Sequence, residues 1–251
     1  MRSNHFTFST SVVAWPLFFV LAMWIVFWFE LKFSVDVKDF GIYPRDVKGL
    51  LGILFSPFIH GDLLHLYNNS IPLVLLLAAL RYFYRKVSFN VLVFGILISG
   101  FLTWLIGRES YHIGASGLIY VLVSFIFFKG IQTKYYRLVA LSLTLIMVYG
   151  GLIWYVFPDV EEGISWEGHL SGLITGFGMS LFFKTPEYKK PIRYEWELPD
   201  FDPQSDPFMK HFDAEGNFVN TPKPEDEIPN YFTTSIQVIY DFIGINKKDS
   251  N

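Results

Sequence analysis

Gly114-Ala115-Ser116-Gly117-Leu118-Ile119-Tyr120-Val121-Leu122-Val123-Ser124-Phe125-Ile126-Phe127-Phe128 is an uncharged run that opens on small residues and closes on aromatic ones. Crossing a hydrocarbon core of ~30 Å takes about 20 mostly apolar residues. This run falls short of that, and so does 168–183. Four others come close to the full length: 12–33, 63–84, 87–106 and 136–157. Together the six predict an all-α, polytopic membrane protein. Short spans packed among longer ones begin below the membrane surface. The heads of the two short runs, at Ser116 and His169, are therefore expected inside the protein, at depth.

Composition supports this class. The chain holds 27 Phe, and aromatic residues make up 19% of it. Mean hydropathy is +0.35. A soluble domain rarely carries so much apolar surface. The net charge of -3 and a pI near 6.1 give no sign of a nucleic-acid partner. The absence of cysteine excludes thiol catalysis, disulfides and thiolate metal sites. Arg2 precedes a first apolar run longer than a signal-peptide core, and no small-residue cleavage site follows it. A retained first span is expected.

Basic residues in short loops set the expected orientation. Arg81, Arg85 and Lys86 follow the second run. Lys129, Lys134 and Arg137 follow the fourth, and Lys184, Lys189 and Lys190 follow the sixth. The opposite loops are 108–112 and the acidic 159–167. Both termini are therefore expected in the cytoplasm, with the heads of the two short runs toward the outer leaflet. The first loop, 34–62, is too long for a turn, and its stretch 49–55 reads as interfacial. Beyond residue 184 the composition turns polar, with 13 acidic residues against seven basic ones. The expected organisation is a cytoplasmic N-terminus (1–11), a six-helix membrane domain (12–184) and a polar, largely disordered tail (185–251). Within the tail, 236–243 is a short amphipathic piece.

Polar and ionisable groups inside spans are costly, so each is a functional candidate. The inventory is His65, Asn68, Asn69, Ser116 and His169. Gly114-Ala115-Ser116-Gly117 lets the backbone turn and leaves the hydroxyl uncovered. It also puts Ser116 at a helix N-terminus, where free N–H groups can receive a developing negative charge. Small residues serve close helix packing equally well. Gly172 and Gly176 form a Gly-x-x-x-Gly face with His169 one turn before Gly172. Docking that face on the fourth span would bring His169 near Ser116, and Gly117 removes a side chain from the contact. His169 is otherwise a capping or solvated residue.

A serine hydroxyl needs an adjacent base, which a neutral imidazole can be. No carboxylate within the spans is available to orient it, so the arrangement expected is a Ser–His dyad. Tyr120, four residues past Ser116, shares its helical face and is placed either to stack on the imidazole or for ordinary aromatic packing. His65 and Asn69 share a face of the second run as two neutral donors, as an oxyanion hole requires. Asn68 points elsewhere and suits a helix–helix hydrogen bond. His60 reads as structural or interfacial. A metal site is disfavoured: His60 and His65 are wrongly spaced for one helix face, and no HExxH is present. No cofactor is expected.

Three separated motifs match one family in order. His60-x-x-x-x-His65-x-x-x-Asn69 opens the second helix, Gly114-Ala115-Ser116-Gly117-x-x-Tyr120 the fourth, and Gly168-His169-x-x-Gly172-x-x-x-Gly176 the sixth. The sequence resembles the rhomboid intramembrane serine proteases over about residues 12–184. The resemblance implies Ser116 as nucleophile and His169 as general base. It implies an oxyanion hole of His65, Asn69 and the Ser116 N–H, with Tyr120 stacked on His169 and Gly114 shaping the turn. It also implies single-pass membrane proteins as substrates, cleaved in or beside a span. Membrane lipids are the other partners, and a hydrophilic cavity is expected beneath 158–167. The expected location is the bacterial plasma membrane. One departure stands out: many rhomboids carry a Trp-Arg pair in the first loop, where this chain has Gly49-Leu50-Leu51-Gly52. Its loop must be anchored differently, and Arg45 is the only guanidinium nearby.

Two rivals fit less well. A catalytically dead relative would usually lack the nucleophile or base. A transporter would want charged residues at midplane or interrupted repeats.

Overall fold

The computed structural model describes residues 6, 8–158, 160–161, 163–185, 194, 196, 198–202, 206–213 and 215–219. Among these residues the chain is helical, and strand pairing is confined to the isolated bridges Ile42–His112 and Phe212–Phe218. The helices are α1 (Ser11–Phe33), the short α2 (Gly52–Phe55), α3 (Leu63–Phe83), α4 (Ser88–Ile106), α5 (Ser116–Thr133), α6 (Tyr136–Tyr149) and α7 (Trp166–Phe182). A 3-10 stretch, Gly150–Val156, continues α6. Five helical spans are long and apolar enough to cross a bilayer, and α7, at 17 residues, is slightly shorter. The fold is that of a polytopic all-α membrane protein.

Local chemistry explains the boundaries. Asp62 caps α3 by accepting the His65 N–H at 2.8 Å, and Ser165 caps α7 by accepting the Gly168 N–H at 3.1 Å. α1 ends on Ser34 in the left-handed region, its N–H returned to Glu30. α5 differs. Its N-cap position is Ala115, which has no side chain to cap with, so the first N–H groups of this helix stay uncapped.

α5 is the centre of the bundle, packed by α3, α4, α6 and α7. Leu118, Val121, Leu122, Phe125 and Ile126 are buried along it. Its closest neighbour is α7, and glycines decide how close. A Cβ at Gly172 would stand 2.2 Å from the Gly117 carbonyl oxygen, and one at Gly176 2.3 Å from that of Val121. Only hydrogen fits at either position. The expected Gly172–Gly176 face is therefore the contact. Gly117 matters less than expected, because a Cβ there would meet the Gly168 carbonyl at an ordinary 3.4 Å.

Two expectations about α5 are corrected. The helix does not stop at Phe128 but runs on to Thr133, so it is not a short span. Lys129 is a buried helix residue rather than a loop charge, and its ammonium donates to the Ser180 carbonyl at 2.9 Å. That carbonyl lies in the last turn of α7, the negative end of the helix dipole, which makes burial of the charge tolerable. Asn68 is exposed rather than turned into a helix contact.

The first loop is folded down onto the bundle. Gly52 and Ile53 of α2 are buried, and Gly100 of α4 leaves room for Ile53. Residues 192–251 form a separate compact unit. Its described part holds a 3-10 turn at Met209–His211 and a turn in which Asp213 accepts the N–H groups of Glu215 and Asn217. The piece 236–243, like most of the tail expected to be disordered, lies outside the described residues.

Candidate active site

Ser116 is the first residue of α5, and His169 sits in the first turn of α7. Ser116 Oγ and His169 Nε2 are 3.0 Å apart. His169 Nδ1 lies 2.9 Å from the backbone carbonyl oxygen of Tyr155. A carbonyl can only accept, so Nδ1 carries the ring proton and Nε2 presents its lone pair to the serine hydroxyl. This is the tautomer a general base toward Ser116 needs.

Tyr120 lies flat on this ring, with centroids 4.3 Å apart and planes 17° from parallel. Its hydroxyl donates to the Leu152 carbonyl at 2.7 Å. The Gly150–Val156 stretch thus fixes the base twice, through Tyr155 directly and through Leu152 and Tyr120. Sequence reasoning missed both carbonyls. It also missed Glu167, two residues before His169 and 1% exposed. Its carboxylate accepts the Arg108 N–H at 3.2 Å and pairs with the Arg108 guanidinium at 3.7 Å. It makes no hydrogen bond to His169. By sequence Glu167 belongs to the acidic outer loop 159–167, whereas in the fold it is a buried residue of α7.

His65 and Asn69 project from α3 toward Gly114, in the turn before Ser116. Gly114 has φ +101°, open to glycine alone at low cost. A Cβ there would lie 2.7 Å from His65 Nε2. The glycine therefore makes the turn before Ser116 and also makes room for the His65 ring. Asn69 is buried, and one amide hydrogen bonds the His65 carbonyl at 3.0 Å, leaving the other to give. His60 packs edge-to-face on His65, centroids 5.0 Å apart. It is 1% exposed, and burial pushes its pKa down to about 4.

A cavity of about 40 Å³ opens beside Ser116, lined in part by Ser56, Thr103, His112, Gly114 and Ser165. A site of this size and polarity admits water. A larger one, about 400 Å³, is bordered by Arg108, Tyr155, Glu161, Ile164 and Trp166, where a hydrophilic cavity under 158–167 was expected. Among the described residues no group of three or more His, Asp or Glu is arranged to hold a metal ion. His112 instead bonds Ser165 and the Arg108 carbonyl.

The first loop is anchored without the usual Trp-Arg pair. The Arg45 N–H donates to the Trp104 carbonyl at 3.1 Å, and the Trp104 indole donates to the Asp46 carbonyl at 2.8 Å. The Arg45 guanidinium donates to the Gly107 carbonyl at 2.7 Å. An arginine and a tryptophan hold the loop after all, but they come from different elements.

A family model for the rhomboid domain matches residues 48–185, more than half of the chain. The chain belongs to the rhomboid family. Uncharacterized proteins of Mycobacterium bovis and Mycobacterium tuberculosis are 34% identical to this rhomboid over 159 residues, covering 59% of it and 65% of themselves. One from Mycobacterium leprae is 32% identical over 168 residues, covering 63% and 65%. The chain thus spans just under two thirds of the length of these relatives. Family and apolar helices together make it an integral membrane protein of an intramembrane serine protease family.

Proposed function

We propose that this rhomboid is an active intramembrane serine endopeptidase. It hydrolyses peptide bonds in or next to the spans of single-pass membrane proteins, with Ser116 as nucleophile and His169 as base. The observation that carries this reading is the 3.0 Å contact from Ser116 Oγ to His169 Nε2, with the opposite ring nitrogen committed to Tyr155.

In the first step His169 Nε2 takes the Ser116 hydroxyl proton as Oγ bonds to the substrate carbonyl carbon. The resulting oxyanion is met by the uncapped Ser116 N–H, by the imidazole of His65 and by the free amide hydrogen of Asn69. Collapse breaks the C–N bond, and His169 gives its proton to the leaving amine. Water then attacks the ester, its proton passing to Nε2. The C–Oγ bond breaks, and Ser116 recovers its proton from His169. A peptide bond within an intact helix is shielded from the hydroxyl, so small or helix-breaking residues at the cleavage point favour reaction.

The membrane domain is taken as 12–184. The protein is placed in the bacterial plasma membrane with both termini cytoplasmic and the site toward the outer leaflet. Basic residues in the short loops support that orientation. The test is co-reconstitution in liposomes with single-pass proteins whose spans contain glycine or proline. Cleavage that disappears in Ser116→Ala and in His169→Ala supports the reading. Intact substrates with the wild-type protein, or cleavage that survives Ser116→Ala, reject it.

A further inference from the structure

A second histidine–serine contact lies four residues before the first on both sides. His112 precedes Ser116 by four residues and Ser165 precedes His169 by four. His112 Nδ1 and Ser165 Oγ are 2.5 Å apart. His112 Nε2 faces the Arg108 carbonyl at 3.1 Å, so Nε2 carries the proton and Nδ1 accepts. The Ser165 hydroxyl therefore donates to Nδ1, while its oxygen accepts the Gly168 N–H as the cap of α7. The backbone of His112 is bonded in both directions to Ile42, at 3.0 and 2.8 Å. One buried residue, 5% exposed, thus joins the first loop through its backbone, and the exit of α4 and the cap of α7 through its ring.

We propose that His112 is a positioning residue for the Ser116–His169 pair, acting through the Ser165 hydroxyl to hold the first turn of α7 in place. The proposal rests on the reading of Ser116 and His169 as nucleophile and base. A serine N-cap alone satisfies a helix end, but its hydroxyl hydrogen remains free to turn. The His112 acceptor gives that hydrogen one direction and ties the cap to α4 and the first loop. His169 belongs to the same turn, its N–H donating to the Ser165 carbonyl at 3.1 Å. A shift of Ser165 is therefore passed to the base, and a misplacement of about 1 Å can cost on the order of 10²-fold in rate.

Protonation works against the arrangement. A second proton on His112 occupies Nδ1 and removes the acceptor of the Ser165 hydroxyl. The charged groups facing His112 are Arg108 and Glu167, which pair with each other. Burial, with the Arg108 charge acting in the same direction, outweighs the Arg108 carbonyl and Glu167 and holds the imidazole below the ordinary histidine range, so it is neutral at pH 7.

The test is fluorophosphonate labelling of the full chain in liposomes, resolved into the maximal inactivation rate and the probe's half-saturating concentration. His112→Phe keeps a ring and removes both nitrogens; Ser165→Ala removes the hydroxyl; Ser165→Thr keeps it. Each of the first two should lower the maximal rate roughly 10- to 100-fold, with half-saturation unchanged. The double variant should be no slower than the slower single one, and Ser165→Thr should recover most of the rate. The acid limb of the rate profile should be shallower in His112→Phe than in wild type. Should His112→Phe fail to fold, Ser165→Ala probes the same bond from its other end. A labelled wild type with unaffected single variants overturns the positioning role alone, as do losses that add in the double variant. A wild type that does not label overturns the nucleophile reading and this one with it.

Discussion

Arg45 and Trp104 clasp each other's chain segments. The arginine N–H is given to the tryptophan carbonyl at 3.1 Å, and the indole N–H to Asp46, the residue after the arginine, at 2.8 Å. Arg45 holds a left-handed backbone to make this contact, with φ 60°. That conformation is costly for a residue with a side chain and persists only where neighbours enforce it. The clasp seats loop 34–62 over the end of α4.

Loosening the clasp should open the loop rather than unfold the bundle. One hydrogen bond contributes about 0.5–1.5 kcal/mol, so Trp104→Phe should raise the open fraction severalfold. Limited proteolysis of loop 34–62 measures this. Cleavage no faster than in wild type would mean that the loop is held elsewhere.

Gly172 and Gly117 face each other, yet they should respond differently to a methyl group. Gly172→Ala drives a Cβ into the Gly117 carbonyl, and overpacking of this kind costs roughly 1–3 kcal/mol. Gly117→Ala meets only ordinary contact and should leave thermal stability near wild type. Melting temperatures of the two variants in detergent decide it. Equal losses would contradict the geometry.

Asn69→Ala should lower turnover on the order of 10²–10³-fold, the usual loss for one oxyanion donor, with KM little changed. Steady-state cleavage in liposomes measures this. An unchanged turnover would remove Asn69 from the hole, and a collapse of the melting temperature would assign it to the fold.

His60 should make stability depend on acid. Burial holds its pKa near 4, whereas an unfolded chain leaves it near 6.5. Between these values the unfolded state binds the extra proton, so stability falls as pH drops from 6.5 toward 4 and is fully present above that window. His60→Phe should flatten the melting temperature across this range. A slope identical to wild type would show that other groups carry it.

That Ser116, His169 and Tyr120 meet, and that His65 and Asn69 lie together on α3, was legible in the sequence, because a polar side chain inside an apolar run is conspicuous and helical spacing says which ones share a face. Gly172 and Gly176 were legible for the same reason. Tyr155 and Leu152 were not, since they act through backbone carbonyls that every residue possesses. Lys129 and Glu167 were misplaced because a charge at the end of a span looks alike whether it meets solvent or a buried partner. The Arg45–Trp104 clasp and the His112–Ser165 bond join positions more than fifty residues apart, and no local pattern announces either.

His169 is proposed to activate Ser116, and the adduct on the nucleophile reads this out. The activation is tested most directly by labelling the reconstituted protein with a fluorophosphonate and locating the adduct by peptide mass spectrometry. A single adduct on Ser116 should form and should vanish in His169→Ala while the variant keeps its wild-type melting temperature. An adduct on another residue, or undiminished labelling of Ser116 in folded His169→Ala, would contradict it.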